Sequence, residues 1–293
     1  MSRRMRKAAW AGWLSLAKVA CRHYVAGPTV EAAVQTCRRT ARQGFAGAIC
    51  YWNDEEETPH VVGRHYLEAV AALERAHLDC YLSLKATAVG YERELMGEIG
   101  ARAAAAGFRV HLDSMWPESA APTLALLTEL AARQTPLGCT LPGRWRRSVE
   151  DAERAIELGL AVRVVKGQWA DPEHPALDPS AGFLAVIDRL AGRAPLVAVA
   201  THDPGLALSA LQRLRAAGTA CELELLFGLP RRAMVPLARA ARVPARIYVP
   251  YGAAWVPYCL SQVRQNPRLL WWALRDAALS ASSDLAKLGA RSR

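Results

Sequence analysis

The sequence predicts a (βα)8 barrel, an α/β fold in which helices surround a closed parallel sheet. Eight apolar, strand-like runs recur along the chain, at residues 46–51, 80–85, 108–113, 137–141, 162–167, 196–201, 221–226 and 246–250. The segments between these runs have a helical period, as at residues 91–106, 148–158 and 204–217. Strands that alternate with helices favour a parallel sheet, and eight such units close it into a barrel.

The chain before the first strand predicts a helical cap over about residues 1–43. Residues 1–20 have a basic start followed by small and aromatic residues, and Lys18 makes this stretch a poor signal peptide. We therefore expect an amphipathic helix there. Thr29 is a good N-cap for a second helix to about residue 43, and Gly44 ends it.

Glycine also ends later predicted helices, at Gly107, Gly159 and Gly218. After the eighth strand the chain continues through residues 255–265 to a last predicted helix over about residues 268–288. No shift in composition marks a linker. We therefore expect a single domain over residues 1–293 with extra C-terminal helices.

The composition limits the class of protein. A chain of 293 residues that is 52% hydrophobic predicts a globular fold with a large core. The formal charge of +10 comes mainly from arginine, and no basic run is interleaved with aromatic residues, which disfavours nucleic-acid binding. An acidic partner such as a carrier protein is compatible with that charge. No apolar run approaches ~18 residues, so we expect no integral membrane segment.

The seven cysteines are scattered and odd in number. They include no CxxC pair and no Cys/His spacing typical of zinc, so we expect neither a metal site nor a disulfide framework. Several lie in apolar runs, where a free cysteine behaves as a small core residue. This usage predicts a reducing, cytoplasmic compartment.

Polar side chains gather at the predicted carboxyl ends of the strands, where (βα)8 enzymes carry their functional residues. These strand-end residues are Lys85, Asp113, Lys166, Thr201, His202 and Tyr248. Because side chains alternate along a strand, we also predict which residues face the barrel interior. The predicted inward set is Ser83, Lys85, His111, Asp113, Arg163, Val165, Glu222, Glu224, Arg246 and Tyr248.

So much charge inside a barrel has two interpretations. One is a self-neutralising structural network of three cations, Lys85, Arg163 and Arg246, against three carboxylates. The other is a functional site, which we favour because buried charges are costly to keep for structure alone.

Tryptophan provides a second signal. Five tryptophans fall just past predicted strand ends: Trp52, Trp116, Trp145, Trp169 and Trp255. A single tryptophan in a loop commonly packs that loop. Five on one rim indicate aromatic walls for a planar ligand.

The ordered strand-end motifs resemble the proline dehydrogenase family over about residues 20–270. The motifs that carry the resemblance are Tyr81-Leu-Ser-Leu-Lys85, His111-Leu-Asp113, Arg163-Val-Val-Lys-Gly167, Ala200-Thr-His202 and Arg246-Ile-Tyr-Val-Pro-Tyr-Gly252. The resemblance implies an FAD-dependent (βα)8 barrel. Such an enzyme transfers hydride from the ring carbon beside an amine nitrogen to flavin N5.

The resemblance also implies roles for individual residues. Arg163 would lie near N5, with Val165 against the flavin ring. The remaining cofactor contacts would be Lys166, Gly167, Thr201, His202 and Gln265. Lys85 and Asp113 would pair beside the substrate, and the pocket walls would be Trp169, Leu226 and Tyr248.

The chain departs from this family most clearly after the eighth strand. The family's Arg-Arg-x-x-Glu-Asn run reads Ser261-Gln-Val-Arg-Gln-Asn here. Ser261 and Gln262 thus replace the arginines that clamp the substrate carboxylate, and Gln265 replaces the acid. A hydroxyl and an amide cannot reproduce bidentate, charge-assisted bonds. Pro142 stands where the family has a flavin-contacting glutamine, and Trp169 where it has a pocket tyrosine.

Together these features predict an FAD-dependent oxidoreductase acting on CH–NH groups. Its substrate would be a cyclic or secondary amine or modified amino acid other than free proline, free or carrier-bound, in specialised metabolism. A quinone or oxygen would accept the electrons. Three alternatives remain open: a proline dehydrogenase with another carboxylate anchor such as Arg264 or Arg268, a non-catalytic flavin- or ligand-binding barrel, and a barrel enzyme that uses folate or another flavin-coupled substrate.

Overall fold

A computed structural model describes residues 25–132 and 136–252 of the chain. In it, eight parallel strands form one closed barrel in chain order. The strands are β1 Ala46–Tyr51, β2 Cys80–Lys85, β3 Val110–Asp113, β4 Leu137–Pro142, β5 Ala161–Val165, β6 Val197–Ala200, β7 Cys221–Leu226 and β8 Ala245–Tyr251. Pairing of β1 with β8, in which Ala48 lies beside Tyr248, closes the sheet. The predicted (βα)8 barrel is confirmed.

Helices alternate with the strands on the outside of the barrel. The helices of the described residues are α1 Val30–Ala41, α2 Pro59–Ala76, α3 Arg93–Ala105, α4 Pro117–Ala131, α5 Ser148–Glu157, α6 Pro179–Leu190, α7 Pro204–Ala216 and α8 Met234–Ala241, with a 3₁₀ turn over Ala86–Val89. Where the sequence predicted a helix within the described residues, the observed ends lie within two residues of the predicted ones. Thr29 caps α1 as predicted, because its side chain accepts a hydrogen bond from the Ala32 amide.

The apolar core lies between the barrel and the helices. The outward faces of the strands contribute fully buried residues such as Ile49, Leu82 and Val164, which pack against helical residues such as Tyr66 and Phe183. Burial of each large apolar side chain stabilises the fold by roughly 1.5–3 kcal/mol. Because this core lies outside the barrel, the inward faces of the strands can carry polar groups.

The described cysteines are buried and unpaired, as core residues should be: Cys37, Cys50, Cys80, Cys139 and Cys221. Among the described helices, none is long and apolar enough to cross a membrane. The predicted helices over residues 1–20 and 268–288 lie outside the described residues.

Candidate active site

The candidate site is built on Arg163, which strand alternation turns into the barrel while Val162 and Val164 face the core. Its Nη1 lies 2.7 Å from Oδ1 of Asp113, and its Nε lies 2.8 Å from Oε1 of Glu224. The Arg163 side chain is only 4% exposed. Burial opposes its charge, but the carboxylates of Glu224 and Asp113 hold the pKa of Arg163 well above its usual value. The guanidinium therefore stays protonated.

Neutral polar groups complete the coordination of both carboxylates. Ser83 donates to Oδ2 of Asp113 at 2.6 Å, and Thr140 also donates to this carboxylate. Tyr81 donates to Oε2 of Glu224 at 2.6 Å and accepts a bond from Arg163. Asp113 and Glu224 are consequently committed to a fixed network, which preorganises one positive charge at the floor of the site.

A second charged layer lies deeper in the barrel. Nε of Arg246 is 3.0 Å from the carboxylate oxygens of Glu222, and its Nη1 donates to the carbonyl oxygen of Gly47 at 2.7 Å. The ring of Tyr81 separates the layers, with the guanidinium carbons of Arg109 and Arg246 at 4.3 Å and 5.0 Å from its centroid. Of the three cations and three carboxylates in the predicted structural network, this deeper layer contains only Arg246 and Glu222, which neutralise each other.

The upper layer opens into a cavity of about 550 Å³ at the carboxyl ends of the strands. That volume lies within the range of ~300–1,000 Å³ typical of small-molecule sites. Three of the five rim tryptophans, Trp52, Trp145 and Trp169, line it. Trp116 is 43% exposed and lies outside the lining. The fifth, Trp255, is outside the described residues.

Curated proteins with similar sequences share one name. Proline dehydrogenase 1 of Bacillus subtilis subsp. natto is 26% identical over 268 residues, which cover 85% of this chain and 88% of the relative. The proline dehydrogenase of Deinococcus radiodurans is 26% identical over 268 residues, with coverage of 84% and 86%. No family profile matches the chain.

The chain is similar in sequence to proline dehydrogenases.

Solved structures share the fold of this chain. Proline utilization A from Bdellovibrio bacteriovorus, inactivated by N-propargylglycine, has a TM-score of 0.75 and 18% identity over 91% of this chain. Proline utilization A from Corynebacterium freiburgense has a TM-score of 0.68 and 17% identity over 92%. The chain spans about a third of each of those longer proteins, 34% in both cases.

Most residues that the family resemblance singles out come together in the cavity. Its lining includes Lys85, Asp113, Arg163, Val165, Gly167, Trp169, Thr201, His202, Leu226 and Tyr248. Lys166 lies beside the lining, with Nζ at 3.1 Å from Oδ2 of Asp203. The clamp positions Ser261 and Gln262, together with Gln265, fall outside the described residues.

Lys85 and Asp113 are both among the described residues and are neighbours in the β2–β3 register, but the expected ion pair between them does not form. Asp113 is already bound by Arg163. Lys85 instead lies over Trp52, with Nζ at 5.9 Å from the ring centroid. The ammonium is therefore available to a ligand.

His202 serves the fold as well as the cavity. Its Nε2 accepts a hydrogen bond from the Leu226 amide at 3.0 Å, so the proton sits on Nδ1, which donates to the carbonyl oxygen of Pro230 at 3.1 Å. Burial lowers the pKa of His202, which keeps the ring neutral. With both nitrogens engaged, His202 offers a ligand the face of its ring rather than an N–H group.

The residues present fit the flavin that the family implies. Gly167 has φ of +92°, and a Cβ there would lie 2.8 Å from Cβ of Pro142, so only glycine keeps this wall open. Trp145 donates from Nε1 to the carbonyl oxygen of Trp169 at 2.9 Å, which ties two cavity loops together. A planar ring would suit these walls, and Lys166 would supply a cation for a phosphate group, in competition with its partner Asp203.

Sequence reasoning missed three members of this site. Tyr81 lies two residues before Ser83 and so shares its inward face, which alternation could have revealed. Thr140 is inward on β4, one of three strands for which no inward residue was predicted. Arg144 lines the cavity, and its buried Nε has no hydrogen-bond partner among the described residues; no pattern in the sequence distinguishes it from other loop arginines.

Proposed function

We propose that this protein is an FAD-dependent oxidoreductase that oxidises the C–N bond of a cyclic or secondary amine to an imine. The observation that supports this proposal is the cavity itself. It combines tryptophan walls with a charged floor centred on Arg163, in a chain whose sequence is similar to proline dehydrogenases. When bound, FAD would supply the hydride acceptor, its N5 atom.

The floor provides electrostatic stabilisation. Arg163 carries a permanent positive charge that its carboxylate partners fix in position. A preorganised guanidinium stabilises negative charge that develops above it, without reorganisation during the reaction. Asp113 and Glu224 contribute by orienting Arg163, and a base role for either would require breaking its bonds to that guanidinium.

Tyr248 forms part of the wall over this charge. The Arg163 guanidinium carbon lies 4.8 Å from the centroid of the Tyr248 ring. Burial raises the pKa of Tyr248 well above its usual value, so the phenol stays protonated. Tyr248 can therefore pack against a substrate ring and donate a hydrogen bond, but it does not accept a proton from the amine. The substrate amine would enter in its neutral form.

We further propose that the preferred substrate is not free proline. Ser261 and Gln262 replace the two arginines that, by resemblance, hold the carboxylate in this family. A hydroxyl and an amide suit a neutral carbonyl, amide or ester instead. The substrate would then be a modified amino acid or another cyclic amine, free or carrier-bound, and its electrons would pass to a quinone or to oxygen.

One observation favours a second candidate, a proline dehydrogenase with a different carboxylate anchor. Lys85 and Arg144 both line the cavity, and neither has a carboxylate partner among the described residues. Either cation could accept a substrate carboxylate in place of the missing clamp. This candidate predicts oxidation of free proline that depends on Lys85 or Arg144.

Anaerobic bleaching of the flavin distinguishes the two candidates. The FAD-loaded protein is mixed with free proline, proline amide, proline esters and other cyclic amines, and the rate of bleaching is measured. Loss of a charged anchor costs about 3–5 kcal/mol, so we expect neutral analogues to outperform free proline by at least ~100-fold. Fast bleaching by free proline that Lys85→Met or Arg144→Gln abolishes would instead support the second candidate.

A further inference from the structure

A second cavity of about 550 Å³ lies between α1 and the loop that joins β7 to α8. We call it the arginine cavity. Its lining contains three arginines, two other polar residues, three small apolar residues and one aromatic ring. In chain order the lining is Val25, Ala26, Ala32, Gln35, Thr36, Arg38, Arg39, Arg42 and Phe227. None of these described lining residues is a carboxylate.

The three arginines of the arginine cavity lie close together at the C-terminal end of α1. Arg38 and Arg42 stand four residues apart on α1 and its C-cap, with Arg39 beside them, so their side chains share one face. Like charges at this spacing destabilise a helix. None of these arginines forms an ion pair within residues 25–132 and 136–252. Their mutual repulsion is thus uncompensated by those residues.

A fourth arginine lies close enough to Arg39 for their charges to interact, although it is not part of the cavity lining. Arg231, in the β7–α8 loop, is half-buried, and burial together with the charge of Arg39 lowers its pKa. No carboxylate in the described ranges pairs with Arg231 either. A second element of the chain, the β7–α8 loop, therefore adds a cation near the arginines of the cavity.

Aromatic rings orient two of these guanidinium groups. The guanidinium carbon of Arg39 lies 5.8 Å from the centroid of Phe227, and that of Arg231 lies 5.3 Å from the centroid of Phe45. A cation–π contact uses the face of the guanidinium and leaves its N–H edge available. Oxyanions bind at that edge through paired hydrogen bonds.

A purely structural role explains only part of this cluster. Arg38 and Arg39 lie in the last turn of α1, where a cation interacts favourably with the helix dipole. That effect does not explain Arg231, which belongs to a loop. Elsewhere on the barrel surface, arginines such as Arg193 and Arg213 pair with carboxylates of neighbouring helices. The arginine cavity departs from this arrangement.

We propose that the arginine cavity binds the phosphate group of a soluble phosphorylated compound. A phosphate dianion matches several convergent guanidinium groups better than one carboxylate does, because it offers more acceptor oxygens and more charge. A lipid headgroup has the same chemistry, but a membrane-binding surface also presents apolar anchors. Among the described residues the large exposed apolar side chains are Trp116, Trp169 and Leu208, and none of them lines this cavity.

This site is independent of the proposed oxidation chemistry, although it adjoins the active site. Phe227 lines the arginine cavity, and Leu226, the residue before it, lines the candidate active site. The two cavities thus share the end of β7. Ligand binding can be measured without any substrate, so failure of this inference and failure of the proposed function are distinguishable.

The test is isothermal titration of the full-length protein with inorganic phosphate and with pyrophosphate, beside thermal unfolding at low salt. We expect saturable binding by the wild-type chain. Arg39→Gln and Arg231→Gln should each weaken it by at least ~tenfold, which corresponds to about 1.4 kcal/mol. Without phosphate, both variants should unfold at the wild-type temperature or above it, because each substitution relieves repulsion. Loss of a merely structural arginine would lower that temperature.

Arg75→Gln is the matched control, since it removes one exposed arginine from the last turn of α2, outside the cavity. It should leave phosphate binding unchanged. Absence of saturable binding by the wild-type chain, or equal weakening by Arg75→Gln, would overturn the inference. Sedimentation with phosphatidic acid vesicles tests the source of the phosphate. Vesicle binding that soluble phosphate does not compete away would assign the site to lipid and contradict a soluble ligand.

Discussion

Arg163 and Glu224 form an ion pair across β6, at 2.8 Å between Nε and Oε1, with side chains 4% and 2% exposed. Their strands are not adjacent, because β6 lies between β5 and β7. The register places Ala198 beside Arg163 and Ala200 beside Glu224, so the intervening strand carries small side chains on this face. The pair therefore depends on three strands at once, and it fixes the charge on which the proposed chemistry relies.

Replacing Arg163 should destabilise the fold as well as the site. Arg163→Met leaves Asp113 and Glu224 buried without their cation, which costs about 3–5 kcal/mol. For a chain of this size we expect the melting temperature to fall by roughly 6 °C or more. Differential scanning calorimetry at neutral pH measures the effect.

The matched control for that experiment is Arg193→Met, which removes an arginine that pairs with Glu153 on the exposed surface. Water screens that pair, so its loss should change the melting temperature little. The deficit of Arg163→Met should also shrink as the pH falls, because protonation of the two carboxylates relieves the unpaired charge. A deficit that is the same for both variants, or that grows on acidification, would contradict a buried network.

His202 should make stability depend on pH. Its folded-state pKa is depressed below 6.5 by burial, so the unfolded chain binds more protons than the folded chain in this range. The stabilisation is present above pH 6.5 and is lost as the pH falls through the folded-state pKa. Protonation of Nε2 would also break its bond from the Leu226 amide. Urea unfolding across this pH range should show that the free energy of unfolding changes less with pH for His202→Gln than for the wild-type chain. An equal pH dependence of the two would exclude this role.

Substitution of Gly167 by alanine should be more damaging than the same substitution of a glycine at a helix end where the new Cβ meets no other atom. Gly167→Ala adds strain of about 1–3 kcal/mol at positive φ, and it brings Cβ to 2.8 Å from Cβ of Pro142 on the cavity wall. We expect lower thermal stability and at least ~tenfold weaker FAD binding, measured by fluorescence titration. Gly159→Ala is the control, since its φ of +63° is also positive but nothing lies within 4 Å of the new Cβ. It should leave FAD binding unchanged.

Much of this fold could be predicted because an apolar strand followed by an amphipathic helix recurs along the chain. Strands β1, β2 and β7 begin and end where the apolar runs predicted, since a strand buried on both sides has a strong sequence signal. β3 begins at Val110, two residues later than predicted. Phe108 extended the apolar run, but it lies before the strand and packs in the core from there. Apolarity alone does not separate these cases.

The sequence could predict which residues form the candidate site, but not which of them form ion pairs with one another. Alternation placed Lys85, Asp113, Arg163 and Glu224 on one interior face, and the structure brings them together. It could not show which carboxylate each cation would take, because that depends on barrel closure and on reach across small residues. Lys85 and Asp113 are adjacent in register, yet Asp113 binds Arg163 instead.

The most direct measurement is the absorption spectrum of the purified protein after incubation with FAD and gel filtration. The proposed function predicts flavin absorption bands that co-elute with the folded chain in stoichiometric amount. Arg163→Met, measured at a temperature where its circular dichroism remains native, should retain much less flavin. A folded wild-type chain that neither carries nor takes up FAD would contradict the proposed oxidation chemistry.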